Sequence, residues 1–375
     1  MNATSTSDWR LAIPETRRRH LRLWFWAVAA MTFGVLIVGG ITRLTLSGLS
    51  IVDWDPIMGV IPPLTNAHWQ EAFARYQQFP EYQQLRQGMT LGEFKFIFFW
   101  EYLHRLLARS IGLVFLAPLA FFWLRGYLTR PLARRALALF GLGLAQGVMG
   151  WLMVASGLVD RPSVSHYRLA AHLSLAFAIF GYSVWLAREL AVRPTPAAVP
   201  ERVRRSLRRA VTTLGAVFGV QVVWGAFVAG LKAGHIDNTF PLMGGRLVPS
   251  NLLWLEPALL NLVQNPVAVQ WIHRVVGTLL ALTALGVFAH VRRSDTEAAS
   301  RRFAAAFLAL VALQYLLGVL TLLHSVPVPL GVAHQAMAMI LLGVLVAWAH
   351  HTRTLPTPAR ETVRTAGPAH QTIPG

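Results

Sequence analysis

Residues 34–59 read GVLIVGGITRLTLSGLSIVDWDPIMG, and residues 219–244 read GVQVVWGAFVAGLKAGHIDNTFPLMG. Laid side by side without a gap, they match Gly40 to Gly225, Pro56 to Pro241 and Met58 to Met243. The likeness continues downstream. Glu101-Tyr-Leu-His104-Arg105 stands opposite Gln270-Trp-Ile-His273-Arg274, Gln146-Gly-Val-Met-Gly150 opposite Gln314-Tyr-Leu-Leu-Gly318, and His172 opposite His334. The chain reads as two copies of one unit.

Apolar residues make up 55% of the chain and charged residues 13%, a balance foreign to an ordinary soluble domain. The apolar residues gather into eight runs, roughly 23–42, 96–124, 136–156, 167–187, 210–230, 267–290, 303–323 and 331–350. Each is near the length of about 20 residues that crosses a hydrocarbon core. Four runs fall in each unit, and an even number leaves both units facing the same way. The expected architecture is an all-α polytopic membrane protein. Its eight transmembrane helices form two four-helix bundles related by a pseudo-twofold along the membrane normal.

The expected organisation is a segment 1–22, a first bundle 23–187, a linker 188–209, a second bundle 210–350 and a tail 351–375. External loops lie at 43–95 and 231–266. The first carries Trp69, Phe73, Tyr76, Phe79 and Tyr82 near helical spacing. That pattern suits a short helix on the membrane surface, or aromatics scattered along a loop. Loop 231–266 is rich in Gly and Pro without periodicity, and the Pro/Thr-rich tail is expected to be disordered.

The net charge of +18 is distributed as a topology signal. Arg17, Arg18, Arg19 and Arg22 precede the first run, and Arg130, Arg134 and Arg135 follow the second. Arg202, Arg204, Arg205, Arg208 and Arg209 follow the fourth, and Arg292, Arg293, Arg301 and Arg302 follow the sixth. Arginine thus fills alternate connections, which places both termini in the cytoplasm and brings these connections to anionic lipid. No aromatic-interleaved basic module accompanies the charge, which argues against nucleic acid. Cysteine is absent, so disulfides, thiolate ligands, iron–sulfur clusters and Cys-attached haem are excluded. The basic start runs into the first span without a small-residue cleavage site, so it reads as an uncleaved anchor. With no long transit peptide ahead of it, a bacterial inner membrane is the expected location.

His104, His172, His273 and His334 all fall in the external halves of their spans. Ionisable side chains at such depth are costly. A single one can simply hydrogen-bond a neighbouring helix. Four at matched positions point to paired imidazoles holding haem iron, one haem in each bundle. Zinc suits the pairs less well, because its sites gather four ligands. Glu101 lies one turn from His104 on the same helix face. It can pair silently with Arg105 or Arg109, or it can reach a haem and handle protons or a cationic intermediate. Gln270 at the matched place cannot do the second. Arg105 and Arg274 can meet haem propionates or support packing. Gln146 and Gln314 can bond across their bundles. Gly112, Gly143, Gly147, Gly150 and Gly277 allow close helix approach.

The run Gly39-Gly-Ile-Thr-Arg43-Leu-Thr-x-Ser47-Gly-Leu-Ser50, then Trp54-x-Pro56, Gly59, Pro62-Pro63, Gln78-Phe-Pro80-Glu-Tyr82 and Glu101-Tyr-x-His104-Arg105, closely resembles haem A synthases of the mitochondrial and proteobacterial type. The resemblance covers nearly the whole chain and ends before the tail. It implies oxidation of the C8 methyl of haem O to the formyl of haem A for cytochrome oxidase assembly. Two successive hydroxylations yield a geminal diol that loses water, with the oxygen coming from water. It also implies a resident haem b. By the same resemblance His104 and His172 hold the substrate haem, Glu101 is the required carboxylate, and His273 and His334 are axial ligands of haem b. The Gram-positive branch carries loop cysteine pairs, and this chain departs from it there. Haem O synthase and a quinone-type electron acceptor are expected partners, and homo-oligomerisation stays open. Two rival readings remain: a quinone-linked di-haem b electron carrier with no chemistry on its haem, and a transporter or haem-handling factor.

Overall fold

The computed structural model describes residues 9, 12–52, 61–157, 163–191 and 196–357. The Trp54, Pro56, Met58 and Gly59 positions, residues 1–8, 10 and 11 of the N-terminal segment and the tail from 358 lie outside the described residues. In chain order the helices are α1 (Glu15–Leu44), α2 (Asn66–Tyr76), α3 (Pro80–Leu85), α4 (Leu91–Leu124), α5 (Arg130–Ala155), α6 (His166–Glu189), α7 (Glu201–Gly230), α8 (Asn261–Gln264), α9 (Pro266–Arg293), α10 (Ala298–Leu323) and α11 (Val328–Thr354). All but α2, α3 and α8 are long and apolar enough to cross a bilayer. The chain is an all-helical, multi-pass membrane protein.

The eight long helices coincide with the eight apolar runs, but most extend beyond them. An apolar run marks what lipid can bury, whereas capping groups decide where a helix stops. α4 starts five residues earlier than its run because Thr90 and Glu93 form a reciprocal capping box, with Thr90 N donating to Glu93 Oε2 at 2.8 Å. Asn265 caps α9 ahead of Pro266, and Glu297 caps α10 by accepting from Ser300 N at 2.9 Å. α9 carries Arg292 and Arg293 and α11 carries Arg353 in its last turn, cations that suit the negative end of a helix.

α1 packs on α4 and α6, and α5 on α6 and α4. α7 packs on α9 and α11, and α10 on α9 and α11. The two groups meet where α6 touches α7 and α11, and where α1 touches α11. Each bundle has a tightly packed half at the end bearing the linker. Leu21, Trp24, Phe25, Phe115, Leu132 and Leu186 fill it in the first bundle. Leu207, Leu214, Val291, Phe307, Leu345 and Trp348 fill it in the second. The histidines lie toward the opposite, loop-bearing end, about two turns into α6, α9 and α11 and about three and a half into α4. Apolar packing thus closes one end of each bundle and leaves polar side chains to the other.

The aromatic pattern of the first loop does form helix, broken at Gln77–Phe79 where Pro80 opens α3. Its aromatic face is turned onto α4 and away from the expected role of lying on lipid. Trp69 meets Phe98 at 5.0 Å, Phe73 meets Phe94 at 5.0 Å, and the fully buried Tyr76 meets Phe94 at 5.3 Å. The reason is that α4 projects beyond its apolar run and presents Phe94 and Phe98 as a docking surface. The second loop holds only short turns, at Ala233–His235 and Ala258–Leu260, and the single turn α8.

Candidate active site

All four histidines turn into their bundles and are half-buried. His273 and His334 face each other with ring centres 6.4 Å apart and planes at 77°. Rings that close could hold one metal between them. His104 and His172 are close enough to interact electrostatically.

Each ring is seated on a neighbouring helix in the same way. A Cβ added to Gly39 would come within 2.7 Å of His104 Cε1. The corresponding distances are 3.1 Å for Gly150 and His172, 3.1 Å for Gly225 and His273, and 2.9 Å for Gly318 and His334. The backbone of the residue four before each glycine, Val35, Gln146, Gln221 and Gln314, acts on the same ring. Nδ1 of all four rings nevertheless has no partner in full hydrogen-bond geometry. On the other nitrogen, the amide Nε2 of Gln146, Gln221 and Gln314 lies 3.2, 3.3 and 3.3 Å from Nε2 of His172, His273 and His334. An amide N–H opposite Nε2 suits the tautomer that keeps its lone pair on that nitrogen, the form able to ligate a metal.

The donor set fits haem. Among the described residues no three His, Cys, Asp or Glu side chains converge as a metal-ion site. Two facing imidazoles on glycine seats suit an iron whose other four ligands come from a porphyrin.

Glu101 is 2% exposed and its two oxygens are fully engaged. Ser50 Oγ donates to Oε2 at 2.7 Å, and Ile51 N donates to the same oxygen at 2.9 Å. Arg105 Nη2 donates to Oε1 at 2.6 Å and to the Ile51 carbonyl at 2.7 Å. The carboxylate thus pins the start of the first loop to α4, one turn from His104. Three donors around one carboxylate fix its position and leave neither oxygen free.

The second bundle inverts this polarity. Gln270, also 2% exposed, donates its amide to the Asp237 carbonyl at 2.9 Å. Arg274 Nη2 donates to the same carbonyl at 2.9 Å, and the carboxylate in this bundle is Asp237 itself, 3.7 Å from Arg274. Burial alone would raise Asp237, but hydrogen bonds from Thr239 and the charge of Arg274 bring it below the usual range. Of the two roles open to Arg105 and Arg274, both side chains are seen holding loop carbonyls.

These contacts bear on the ungapped alignment of residues 34–59 with 219–244. Gly39, not Gly40, matches Gly225 as a histidine seat, and Ile51 matches Asp237 as the carbonyl held by arginine. Gly40 instead faces Gln335 of α11. The ungapped alignment is one residue out here, because the Pro56/Pro241 match further on set its register.

Among the other glycines considered from sequence, a Cβ added to Gly277 would come within 3.0 Å of Gln221 Nε2, whereas one at Gly112, Gly143 or Gly147 would meet nothing within 4 Å. Ser50, Ile51, Gln221, Gly39, Gly225 and Gly318 went unrecognised as site residues. The Gln-x-x-x-Gly spacing, present at Gln146, Gln221 and Gln314, could have revealed the seats on three helices.

Residues 22–346 match the COX15-CtaA family model, described as cytochrome oxidase assembly protein. The chain is 46% identical over 340 residues to the haem A synthase of Rhodospirillum centenum, covering 91% of this chain and 90% of that one. It is 47% identical over 336 residues to the haem A synthase of Chelativorans sp., covering 90% and 92%. For the haem A synthase of Agrobacterium fabrum the values are 46% over 351 residues, covering 93% and 95%. The chain belongs to the COX15-CtaA family. The family match spans all eight long helices, so both histidine pairs and the Glu101 cluster fall inside it.

Proposed function

We propose that this protein is a haem A synthase, an oxidoreductase that converts the C8 methyl of haem O to a formyl group for cytochrome oxidase assembly. The observation that carries the reading is the asymmetry of the two bundles. Each has a histidine pair on glycine seats, but only the first sets a buried carboxylate, Glu101, one turn from a ligand.

In this reading His104 and His172 hold haem O and fix its orientation toward α4. Glu101 presents a fixed negative charge to the edge of the substrate, where loss of hydride equivalents from the methyl leaves positive charge. Ser50, Ile51 N and Arg105 keep that charge in place, so no reorganisation is needed as the reaction proceeds. Each hydroxylation consumes one water and releases two electrons and two protons. The diol formed by two rounds loses water to the aldehyde. His273 and His334 fit a haem b, which supplies one-electron transfer when bound. Gln270 and Arg274 hold the loop over that site without offering a carboxylate beside the ligand. Electrons leave to an acceptor of the quinone class.

The helix pairings support the pseudo-twofold, since exchanging α1, α4, α5 and α6 with α7, α9, α10 and α11 reproduces them. With the arginine pattern, this favours an inner-membrane protein with both termini cytoplasmic and both haem sites toward the external face. The test is pigment extraction after co-expression with a source of haem O. Haem A beside haem O is the expected result. Two unaltered haem b groups would favour the electron carrier, and haem A formed at full yield by Glu101→Ala would remove Glu101 from the chemistry.

A further inference from the structure

Oxidation of a methyl group by water liberates protons, and the Glu101 carboxylate is badly placed to carry them, since donors occupy both of its oxygens. A second buried carboxylate lies on the far side of the same loop. Glu81, in the first turn of α3, is 5% exposed. Its Oε1 lies 3.4 Å from Arg86 Nε, and its Oε2 has no partner in full hydrogen-bond geometry, although the Tyr76 hydroxyl is near enough to act on the carboxyl. Arg86 Nη2 in turn donates to the carbonyls of Leu46 at 2.7 Å and Thr45 at 3.3 Å. That loop segment continues through Ser47, whose Oγ is 2.7 Å from Thr45 Oγ1, to Ser50 on Glu101.

We propose that Glu81 is the proton acceptor that serves the oxidation beside Glu101, taking up protons released in each two-electron step and passing them to water on the loop side. The proposal rests on the haem A synthase reading. The groups facing Glu81 are Tyr76 of α2, Arg86 after α3 and Glu101 of α4. Burial pushes Glu81 up to about 7, the Arg86 charge opposes that, and the negative charge of Glu101 adds to it. Burial and Glu81 likewise push the Tyr76 hydroxyl up. Two carboxylates whose surroundings assign them different tasks, one a fixed charge and one poised to exchange a proton near neutrality, are the usual division of labour in such sites. The electrons of each step leave separately, to haem b and a quinone-class acceptor, so the step balances. Because Glu81 acts through the loop and not on the haem, its signature is a pH profile.

The test uses the full-length protein in membranes, as wild type, Glu81→Gln and Glu81→Asp. Conversion of haem O by the wild type should climb as pH rises through about 7. Glu81→Gln should keep both haems, lose at least about 100-fold in rate and lose the climb, and Glu81→Asp should recover most of both. Infrared difference spectra of the purified protein should show a carboxyl band titrating near neutrality that Glu81→Gln removes. A Glu81→Gln protein with wild-type rate and profile, or with unchanged infrared titration, would overturn the proposal. So would loss of haem in both variants, which would mark Glu81 as a clamp for Arg86. Absence of haem A from the wild type would speak against the synthase reading, and the infrared titration, which needs no turnover, would still decide Glu81.

Discussion

Ser50 Oγ donates to Glu101 Oε2 at 2.7 Å, joining two residues 51 positions apart, each 2% exposed. The bond fastens the exit of α1 to the face of α4 that carries His104. A hydrogen bond to a charged group contributes about 1.5–3 kcal/mol. Ser50→Ala is therefore expected to slow haem A formation by about 10- to 100-fold while Ile51 N and Arg105 still hold the carboxylate. Haem O turnover at matched membrane levels of protein checks this, and unchanged turnover would mean that Ser50 does not position Glu101.

The inverted polarity of the second bundle gives a converse expectation. Gln270→Glu puts a carboxylate oxygen against the Asp237 carbonyl where an amide now donates. It should cost about 1–3 kcal/mol of stability through the lost bond and the repulsion that replaces it. It should also lower the haem b content without creating a second oxidising site. Thermal unfolding followed with the haem absorbance tests both parts.

The glycine seats are open to the same kind of measurement. Gly318→Ala would bring a Cβ to 2.9 Å of His334 Cε1, and Gly225→Ala to 3.1 Å of His273 Cε1. Both are expected to push the imidazole off its seat and reduce bound haem b. Gly286→Ala, where a Cβ meets nothing within 4 Å, should leave haem content unchanged. Haem-to-protein ratios of the three purified variants separate a seat from ordinary helix packing.

The two loops should respond to pH in opposite senses. Glu81 is raised in the folded protein, so its contribution to stability is full below the ordinary carboxylate range and is lost as pH rises through about 7. Asp237 is lowered, so its contribution is present above the ordinary range and is lost as pH falls through its folded value. Hydrogen exchange should therefore quicken around residues 77–90 in mild alkali and around residues 236–246 in acid. The same pH response in both loops would contradict these assignments.

The eight spans were legible because hydrocarbon selects apolar runs strongly. The four histidines and Glu101 stood out because ionisable groups are rare at that depth. Part of what surrounds them was legible too: the Glu101–Arg105 pair follows from the i, i+4 spacing, and Gln146 and Gln314 do bond across to His172 and His334. The loop contacts were not. Ser50 and the Ile51 amide reach Glu101 only through the turn that follows α1, and nothing local to either residue signals the contact. Glu81 lies in a polar loop that reads as exposed, and it is buried only because α2 docks its aromatic face on Phe94 and Phe98. An apolar run does not fix a helix end: the Thr90 cap starts α4 five residues ahead of its run. The repeat register slipped by one residue because a proline match in the loop outweighed the helix, where Gly39 and Gly225 bear the histidines.

The central claim is that Glu101 makes the first histidine pair a place of chemistry while the second pair only holds a cofactor. The most direct measurement is haem typing by chromatography of the wild type and Glu101→Gln, each co-expressed with a haem O source and purified at equal yield. The expected result is haem A with haem b from the wild type, and haem O with undiminished haem b from Glu101→Gln. Haem A from Glu101→Gln at the wild-type level, or loss of haem b with the substitution, would contradict the claim.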